Sequence, residues 1–198
     1  MSKIIFIDER VDHIDFFTIR YIFSSVEITS SNISKIKTIG KKYYEKVTNK
    51  QLKLHSNNLS TESIKEYISD VMHLGFMIKI YIYYYNSNPK QELQFKRESL
   101  IKTVHDLIEI QSDEDTQIFI EHTDDYRKII KAHSLEKDPL LSLLPDIICS
   151  IVARYYSIGR GLNKNDYSEM MDTIKSRIDL VTVKRRGTTT RLKRGNII

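Results

Sequence analysis

The 198-residue chain contains a single cysteine, Cys149. One cysteine excludes an intramolecular disulfide framework and fits a reducing compartment. The N-terminal apolar run is too short for the hydrophobic region of a signal peptide. The longest apolar stretches, near residues 76–85 and 140–152, are interrupted by charged residues or proline, so we expect neither to span a membrane. These absences predict a cytoplasmic protein that makes no use of a membrane.

Several kinds of catalytic site are also absent. The six glycines form no glycine-rich phosphate loop, and no serine or cysteine lies in a nucleophile elbow. The histidines show no paired spacing of the kind that binds zinc, since they lie at positions 13, 55, 73, 105, 122 and 133. The sequence therefore gives no support to a P-loop enzyme, an α/β-hydrolase or a histidine-based zinc enzyme.

Acidic residues are missing from the end of the chain. The net charge is +5, and no Asp or Glu follows residue 180. Six basic residues lie close together there: Lys184, Arg185, Arg186, Arg191, Lys193 and Arg194. We predict a domain over residues 1–180 and a basic tail over 181–198. Such a tail suits electrostatic contact with a nucleic-acid backbone, or it is a solubilising end.

Apolar patterning predicts an α/β chain. Alternating or continuous apolar runs predict strands at 3–7, 16–23, 76–85 and 117–121, and a short strand running into a loop over 51–59. Apolar residues at helical spacing predict helices at 33–47, between an N-cap at Ser60 and Gly75, and at 91–110, 124–132 and 145–157. This order predicts one mixed sheet with helices packed on it.

Carboxylates follow two of these strands and lie in one helix. Asp8 and Glu9 end the first predicted strand, Glu121 ends a later one, and Asp146 interrupts an apolar helix. Carboxylates at strand ends lie along one edge of a sheet, where loops open to ligand. Brought together they repel one another unless a cation intervenes, and Mg²⁺ prefers such hard oxygen ligands. Two such ions would stabilise both oxygens of phosphodiester hydrolysis.

Asp146 has two interpretations. Pro145 suits the first position of a helix, which would place Asp146 in the first turn, where the helix dipole favours a carboxylate whatever its function. Alternatively, Asp146 lies on a face of small residues that lets the helix approach another element closely and directs the carboxylate to that contact. The other members of this face are Ser142, Cys149, Ser150 and Ala153.

Together these motifs resemble a widespread group of RNase H-like proteins of poorly defined function, common in bacteria and mobile elements. Members begin with a strand running into Ile-Asp-Glu-Ser-Gly, continue to a strand ending in an acidic residue, and close with a helix bearing Leu-Ala-Asp. The matching segments here are Ile7-Asp8-Glu9-Arg10-Val11, IFIEHTDD and Leu144-Pro145-Asp146, within roughly residues 3–158. The resemblance implies an RNase H-like α/β fold and a nuclease site.

The chain departs from that pattern at three places. Arg10-Val11 replaces Ser-Gly, Pro145 replaces alanine, and LKLHS at 52–56 lacks an acid that relatives often carry. His55 then either substitutes as a metal ligand or general base, or is simply solvated. The same two alternatives apply to His122.

Two functions remain open. In the first, the protein is a metal-dependent nuclease or phosphoryl-transfer enzyme in phage defence or mobile-element biology. Asp8, Glu121 and Asp146 would then ligate Mg²⁺ or Mn²⁺ with their carboxylates within about 8 Å of one another, Glu9 would support them, and the basic tail would hold RNA or DNA.

In the second, the protein is a catalytically degenerate RNase H-like module that binds nucleic acid, a protein partner or a second copy in phage–host conflict. The tyrosines at 81, 83, 84 and 85 would then form a contact surface, unless they belong to a strand packed on both faces.

Overall fold

A computed structural model describes residues 3–45, 55–110, 116–120, 133–134, 139–156, 164–185 and 187–194. The strands are β1 (Lys3–Asp15), β2 (Thr18–Thr29), β3 (Phe76–Asn86), β4 (Gln117–Ile120), β5 (His133–Ser134), β6 (Ile178–Arg185) and β7 (Thr188–Lys193). The helices are α1 (Ile33–Tyr44), α2 (Thr61–Val71), α3 (Glu92–Ile110), α4 (Pro139–Tyr156) and α5 (Lys164–Lys175).

The strands form one seven-stranded sheet in the order β5-β4-β1-β2-β3-β6-β7. The central strands β1, β2 and β3 are antiparallel to their neighbours within this trio, whereas β4 runs parallel to β1 and β6 runs parallel to β3. At the two edges, β5 is parallel to β4 and β7 is antiparallel to β6. The predicted α/β architecture, a mixed sheet flanked by helices, is confirmed.

Helices cover both faces of the sheet. Because neighbouring residues of a strand point to opposite faces, Ile4 and Phe6 of β1 lie in one core, with residues of α1, α2, α4 and α5. Ile5 and Ile7 lie in the other core, with α3. We call these the α4 face and the α3 face.

Two local features explain how α1 and α2 are placed. Ser60 caps α2, because its hydroxyl accepts a hydrogen bond of 3.1 Å from the backbone N–H of Ser63, as predicted. Gly40 lies where α1 meets α4: a Cβ at this position would lie 3.1 Å from the carbonyl oxygen of Leu140. The absence of a side chain at Gly40 therefore permits close packing of the two helices.

Helix α4 begins at Pro139, so the prediction of a helix start at Pro145 is wrong. Pro145 lies inside the helix, and Asp146 lies beyond its first turn, where the dipole argument does not apply. By length and composition α4 is able to cross a membrane, but 67% of it is buried inside the protein. Its position against β1 and β2 accounts for its apolar sequence.

Two strands extend further than the sequence predicts. β1 continues past Asp8 and Glu9 to Asp15, so these carboxylates lie in the middle of the strand and not at its end. β2 continues through Ser24 and Ser25 to Thr29, although the serines were expected to end it. Both serines are buried, because they lie beneath the elements that cover the sheet.

The predicted boundary between a domain ending at residue 180 and a basic tail over 181–198 falls inside β6. Pairing with β3 along Ile178–Arg185, and with β7 along Thr188–Lys193, makes this segment part of the sheet through Lys193. Gly187 adopts a φ of 81° in the connecting turn. The described part of the segment is therefore a hairpin of the domain and not an appendage.

Two other predicted elements fall partly or wholly outside the described residues. Over 51–59, predicted as a short strand running into a loop, residues 56–58 form a short 3₁₀ turn, and residues 51–54 lie outside the described residues. The predicted helix 124–132 also lies outside it. Helix α5 was not predicted, and its burial of Tyr167, Met170 and Ile174 joins it to the core on the α4 face.

Candidate active site

Asp8 and Glu9 point to opposite faces of the sheet. Asp8 is 7% exposed and lies on the α4 face, opposite Ser24 of β2. Glu9 lies on the α3 face, where its carboxylate forms an ion pair with Lys96 of α3. The expected support of Asp8 by Glu9 is not seen in this geometry, because the sheet separates the two side chains.

Asp146 is held by the loop that precedes α2. Its Oδ2 accepts a hydrogen bond of 2.6 Å from the backbone N–H of Ser56, and its Oδ1 accepts one of 2.9 Å from the Ser56 hydroxyl. The Nδ1 atom of His55 lies 3.5 Å from Oδ2. His55 therefore lies beside a predicted site residue, and Ser56 is a contact that sequence reasoning missed.

Cys149 connects Asp8 with Asp146. Its thiol lies 3.3 Å from the carbonyl oxygen of Asp8, to which it donates, and Asp146 precedes it by one helical turn on α4. Burial, and then the negative charge of Asp8, raises the pKa of the Cys149 thiol well above its ordinary value, and Asp146 acts in the same direction. Both carboxylates thus act on one buried thiol, so the structure brings them to the same region of the α4 face.

Small residues of α4 make this close approach possible, as one interpretation of the sequence predicted. The carbonyl oxygen of Pro145 accepts a 2.8 Å hydrogen bond from Ser24 of β2, and the hydroxyl of Ser150 accepts one of 3.2 Å from Arg10 of β1. At the first of these points only the short side chain of Ser24 lies between helix and strand, and at the second the small Ser150 leaves room for the guanidinium of Arg10.

Charged residues continue along the same face of β1 and β2. Arg20 is 1% exposed, and its guanidinium donates to Asp12 at 2.6 Å and to the carbonyl oxygen of Ala153 at 3.0 Å. Arg10 also contacts Asp12, at 3.4 Å. Arg10, which stands where the similar family has serine, therefore brings a positive charge to the strand two residues beyond Asp8.

Glu121 and His122 lie outside the described residues. The described part of β4 ends at Ile120, which pairs in parallel with Ile7, the residue before Asp8. The structure thus places Asp8 and Asp146 near Cys149, and the convergence of the three carboxylates within about 8 Å stays a prediction.

The chemistry of the two placed carboxylates fits a magnesium or manganese ion. Within the described ranges, no group of three His, Cys, Asp or Glu side chains is arranged to hold a metal. However, Mg²⁺ in phosphoryl-transfer sites is commonly held by one or two carboxylates, while water and substrate phosphate complete its shell. Asp8 and Asp146 supply two hard oxygen donors of this kind.

The predicted nucleic-acid-binding residues that the structure describes lie on both faces of the β6–β7 hairpin. Lys184 and Arg191 face α3, where both lie near Asp106, at 3.9 Å and 3.2 Å. Arg185 lies over the ring of Tyr84, its partner in β3. Lys193 and Arg194 are exposed, and Arg186 lies outside the described residues.

The tyrosines of β3 belong mainly to the core. Tyr81 and Tyr83 are buried on the α3 face, and Tyr83 shares a 2.9 Å hydrogen bond with Thr103 of α3. Tyr85 stacks on Phe95 and bonds to Ser99. The interpretation of a strand packed on both faces accounts for them better than an aromatic contact surface does.

No protein-family model matches the sequence, and no curated protein matches it. Among solved structures, the chain is similar to a mutant of Bst-RNase HIII with 19% identity and a TM-score of 0.44, covering 88% of this chain and 54% of that one. It is also similar to ribonuclease H2 from Pyrococcus horikoshii OT3, with 13% identity, a TM-score of 0.45 and 87% of each chain covered.

A structure of Bst-RNase HIII in complex with Mn²⁺ is similar with 18% identity and a TM-score of 0.37, again covering 88% of this chain and 54% of that one. The chain thus spans about half the length of Bst-RNase HIII. At these identities and scores, the similarity assigns neither activity nor site residues to this chain.

Proposed function

We propose that this protein is an RNase H-like, metal-dependent nuclease in which Asp8 and Asp146 hold Mg²⁺ or Mn²⁺ and Glu121 completes the site. The observation that carries the proposal is that the Cys149 thiol donates to the backbone carbonyl of Asp8, while Asp146 lies one helical turn before Cys149 on α4. Glu121 is included because it follows Ile120 directly, and Ile120 is paired with Ile7.

Each residue has a physical part in this proposal. Divalent cations at such a site polarise phosphate and stabilise the attacking and leaving oxygens of hydrolysis. Asp8 and Asp146 bind and orient, while Ser56 fixes the carboxylate of Asp146 with its two hydrogen bonds. His55, beside Asp146, is positioned to exchange a proton with water or substrate. The setting we propose is phage defence or mobile-element biology, which rests on the family resemblance.

The test is cleavage of labelled RNA and DNA with Mg²⁺, with Mn²⁺ and with a chelator. We expect metal-dependent cleavage by the wild type and its loss in D8N, D146N and E121Q. The exposed helix residue Asp172 supplies a control, D172N, which should cleave normally. E9Q tests the role of Glu9. If Glu9 takes no part because it lies on the opposite face of the sheet from Asp8, E9Q should retain cleavage. If Glu9 supports the metal ligands, E9Q should lose it. Full activity of D8N would contradict the proposal.

A second function is favoured by one observation: both oxygens of Asp146 already accept hydrogen bonds from Ser56. This carboxylate therefore has a structural use that needs no metal. A non-catalytic module that binds nucleic acid through the β6–β7 hairpin would show binding without cleavage in any metal, and D146N would change its stability but not its metal response.

A further inference from the structure

The turn between β1 and β2 exposes two adjacent aromatic rings. Phe16 is 95% exposed and Phe17 is 79% exposed. Phenylalanine is among the residue types most often buried, and single exposed apolar residues are common, but two neighbouring rings at a hairpin tip are a distinct feature.

The backbone of this turn is fixed without help from the rings. The Asp15 carboxylate accepts a 2.8 Å hydrogen bond from the backbone N–H of Phe17. The carbonyl oxygen of Phe17 accepts one of 2.7 Å from the N–H of Ser87, directly after β3. The rings are thus presented from an anchored turn, and their removal leaves these bonds in place.

A cleft lies beside the tip. It has a volume of about 540 Å³ and is lined by Phe16, Ile14 and Pro89 together with the polar residues His13, Ser87 and Glu92. Pockets that take small ligands have volumes of roughly 300–1,000 Å³. Asp15 and Glu92 place negative charge at this cleft, which disfavours phosphate but leaves an apolar or aromatic group free to enter.

A second, basic cleft lies at the same end of the sheet. It has a volume of about 250 Å³ and is lined by Lys102 of α3 and by Lys184 and Arg185 of β6, together with tyrosines of β3 and residues 187–189 of the hairpin turn. The neighbouring carboxylates, Glu98 at 3.7 Å from Lys102 and Asp106 at 3.9 Å from Lys184, offset part of this charge.

The register of the sheet sets the spacing of tip and cleft. Thr18, directly after the tip, pairs with Asn86, and Tyr84 pairs with Arg185. The tip and the cleft are therefore about two strand spacings apart, or roughly 10 Å. A short single strand of nucleic acid is able to reach across this distance.

We infer that Phe16 and Phe17 form a base-stacking tip for single-stranded nucleic acid, whose backbone phosphates lie in the basic cleft. Exposed aromatic rings next to a positive groove are the combination that binds single strands without sequence preference. The acidic groups at the tip favour bases over phosphates there, and the cations favour phosphates at the cleft. The inference rests on the nucleic-acid substrate proposed above but not on cleavage.

The absence of tryptophan from the chain provides a direct test. F17W introduces a single tryptophan at the tip, and I108W introduces one at an exposed position of α3 remote from it. Titration with an oligothymidylate of about 12 nucleotides, in chelator so that no cleavage occurs, should quench the fluorescence of F17W and leave I108W nearly unchanged. An unquenched F17W at saturating oligonucleotide would overturn the inference.

Affinity measurements separate stacking from general apolarity. By fluorescence anisotropy, F16A/F17A should bind the oligonucleotide roughly 10-fold more weakly for each ring that stacks. F16L/F17L should lose the same affinity, F16Y/F17Y should retain it, and I108A should equal the wild type. Retained binding by the leucine variant would refute stacking. Unchanged binding by F16A/F17A, together with loss of a wild-type dimer in gel filtration, would identify the tip as a protein contact instead.

These measurements are independent of the proposed active site. If D8N still cleaves but F16A/F17A binds weakly, the proposed active site at Asp8 fails and the tip stands. If D8N is inactive and F16A/F17A binds like the wild type, the reverse holds.

Discussion

The side chain of Asp146 differs from an ordinary helix carboxylate in the hydrogen bonds that its two oxygens accept. Each oxygen accepts a hydrogen bond from Ser56, and His55 lies beside one of them. Hydrogen bonds to charged groups contribute more than neutral ones, about 1.5–3 kcal/mol each. Asp146 therefore ties α4 to the loop before α2, whether or not it also holds a metal.

This contact predicts the effect of D146N on stability. The substitution removes the charge and leaves one donor of Ser56 facing an amide N–H, so the free energy of unfolding should fall by about 1–3 kcal/mol. Denaturant unfolding of D146N and of the control D172N measures it, and D172N should lie within about 0.5 kcal/mol of the wild type. Equal stability of D146N and wild type would show that the Ser56 contacts contribute little.

If Asp8 and Asp146 bind a metal ion, they should also determine how the melting temperature responds to Mg²⁺. If Mg²⁺ binds the folded protein, it raises the melting temperature of the wild type, and this rise should vanish in both D8N and D146N. A rise that survives in D8N would place any bound ion elsewhere.

Helix α4 shows how one element organises the site. It lies directly on β1 and β2 because its contacting residues are small. It therefore places Asp146 and Cys149 on the face of the sheet where Asp8 lies. Pro145 is the unusual residue in this helix, since an interior proline lacks the N–H of the helical hydrogen-bond pattern.

Replacement of this proline should stabilise the protein. An interior proline costs roughly 3 kcal/mol, whereas P145A loses about two buried methylene groups, roughly 1.6 kcal/mol. The net gain in unfolding free energy should be about 1 kcal/mol, and the bond from Ser24 survives because it uses the carbonyl. P139A, at the first position of the helix, should have little effect. Destabilisation by P145A would mean that ring packing outweighs the lost hydrogen bond.

Sequence patterns predicted the elements whose signals are uninterrupted. The apolar run of β3 and the capped stripe of α2 both appear close to their expected bounds. β2 was predicted too short because Ser24 and Ser25 resemble a strand break, while their actual partners, Pro145 and Lys79, lie far away in the chain. No local pattern contains such contacts.

Only part of the candidate site could be predicted, because local sequence patterns do not contain contacts between distant residues. Asp8 and Asp146 stood out as carboxylates in apolar sequence, and both lie on the α4 face. Glu9 was assigned with Asp8 because β1 was expected to end there, but a continuing strand sends neighbouring side chains to opposite faces. Ser56 was missed, because a serine in a polar loop carries no signal of its own.

At the scale of the whole molecule, the basic hairpin is part of the sheet and covers an edge of β3. Leu192 of β7 packs against the core on the α4 face, and the cations Lys184 and Arg191 meet Asp106 of α3. The sequence suggested a tail because threonines and cations lack an apolar pattern, and their partners lie in other elements.

Truncation distinguishes a tail from a strand. Deletion of residues 184–198 removes β7 and the end of β6, so the melting temperature should fall by at least about 5 °C, which corresponds to a loss of roughly 2 kcal/mol for a chain of this size. Deletion of residues 195–198, which follow the last described residue, is the control and should leave the melting temperature unchanged. An unaltered melt after the longer deletion would show that the hairpin adds no stability.

The distribution of the cations over two faces limits how many reach one nucleic acid. If all six engaged a duplex, the slope of log affinity against log salt would be about −5. Since Lys102, Lys184 and Arg185 line the basic cleft, we expect these three cations to engage, with a slope of about −2 on a single strand. Binding measured between low and moderate salt gives this slope, and a value near −5 would require all six to act together.

The position of β7 has a consequence for how copies of the protein meet. As the last strand in the sheet order, it presents one side of its backbone without a neighbouring strand in the described part of the chain. Such edges invite pairing with another molecule, and lysine or arginine along them opposes it. Arg191, Lys193 and Arg194 give two approaching edges the same sign of charge. Salt weakens this repulsion, because the screening length falls from about 10 Å at 0.1 M to about 3 Å at 1 M. In the second function proposed above, the hairpin that binds a polyanion thus also protects the protein from association with itself, and a bound polyanion removes that protection.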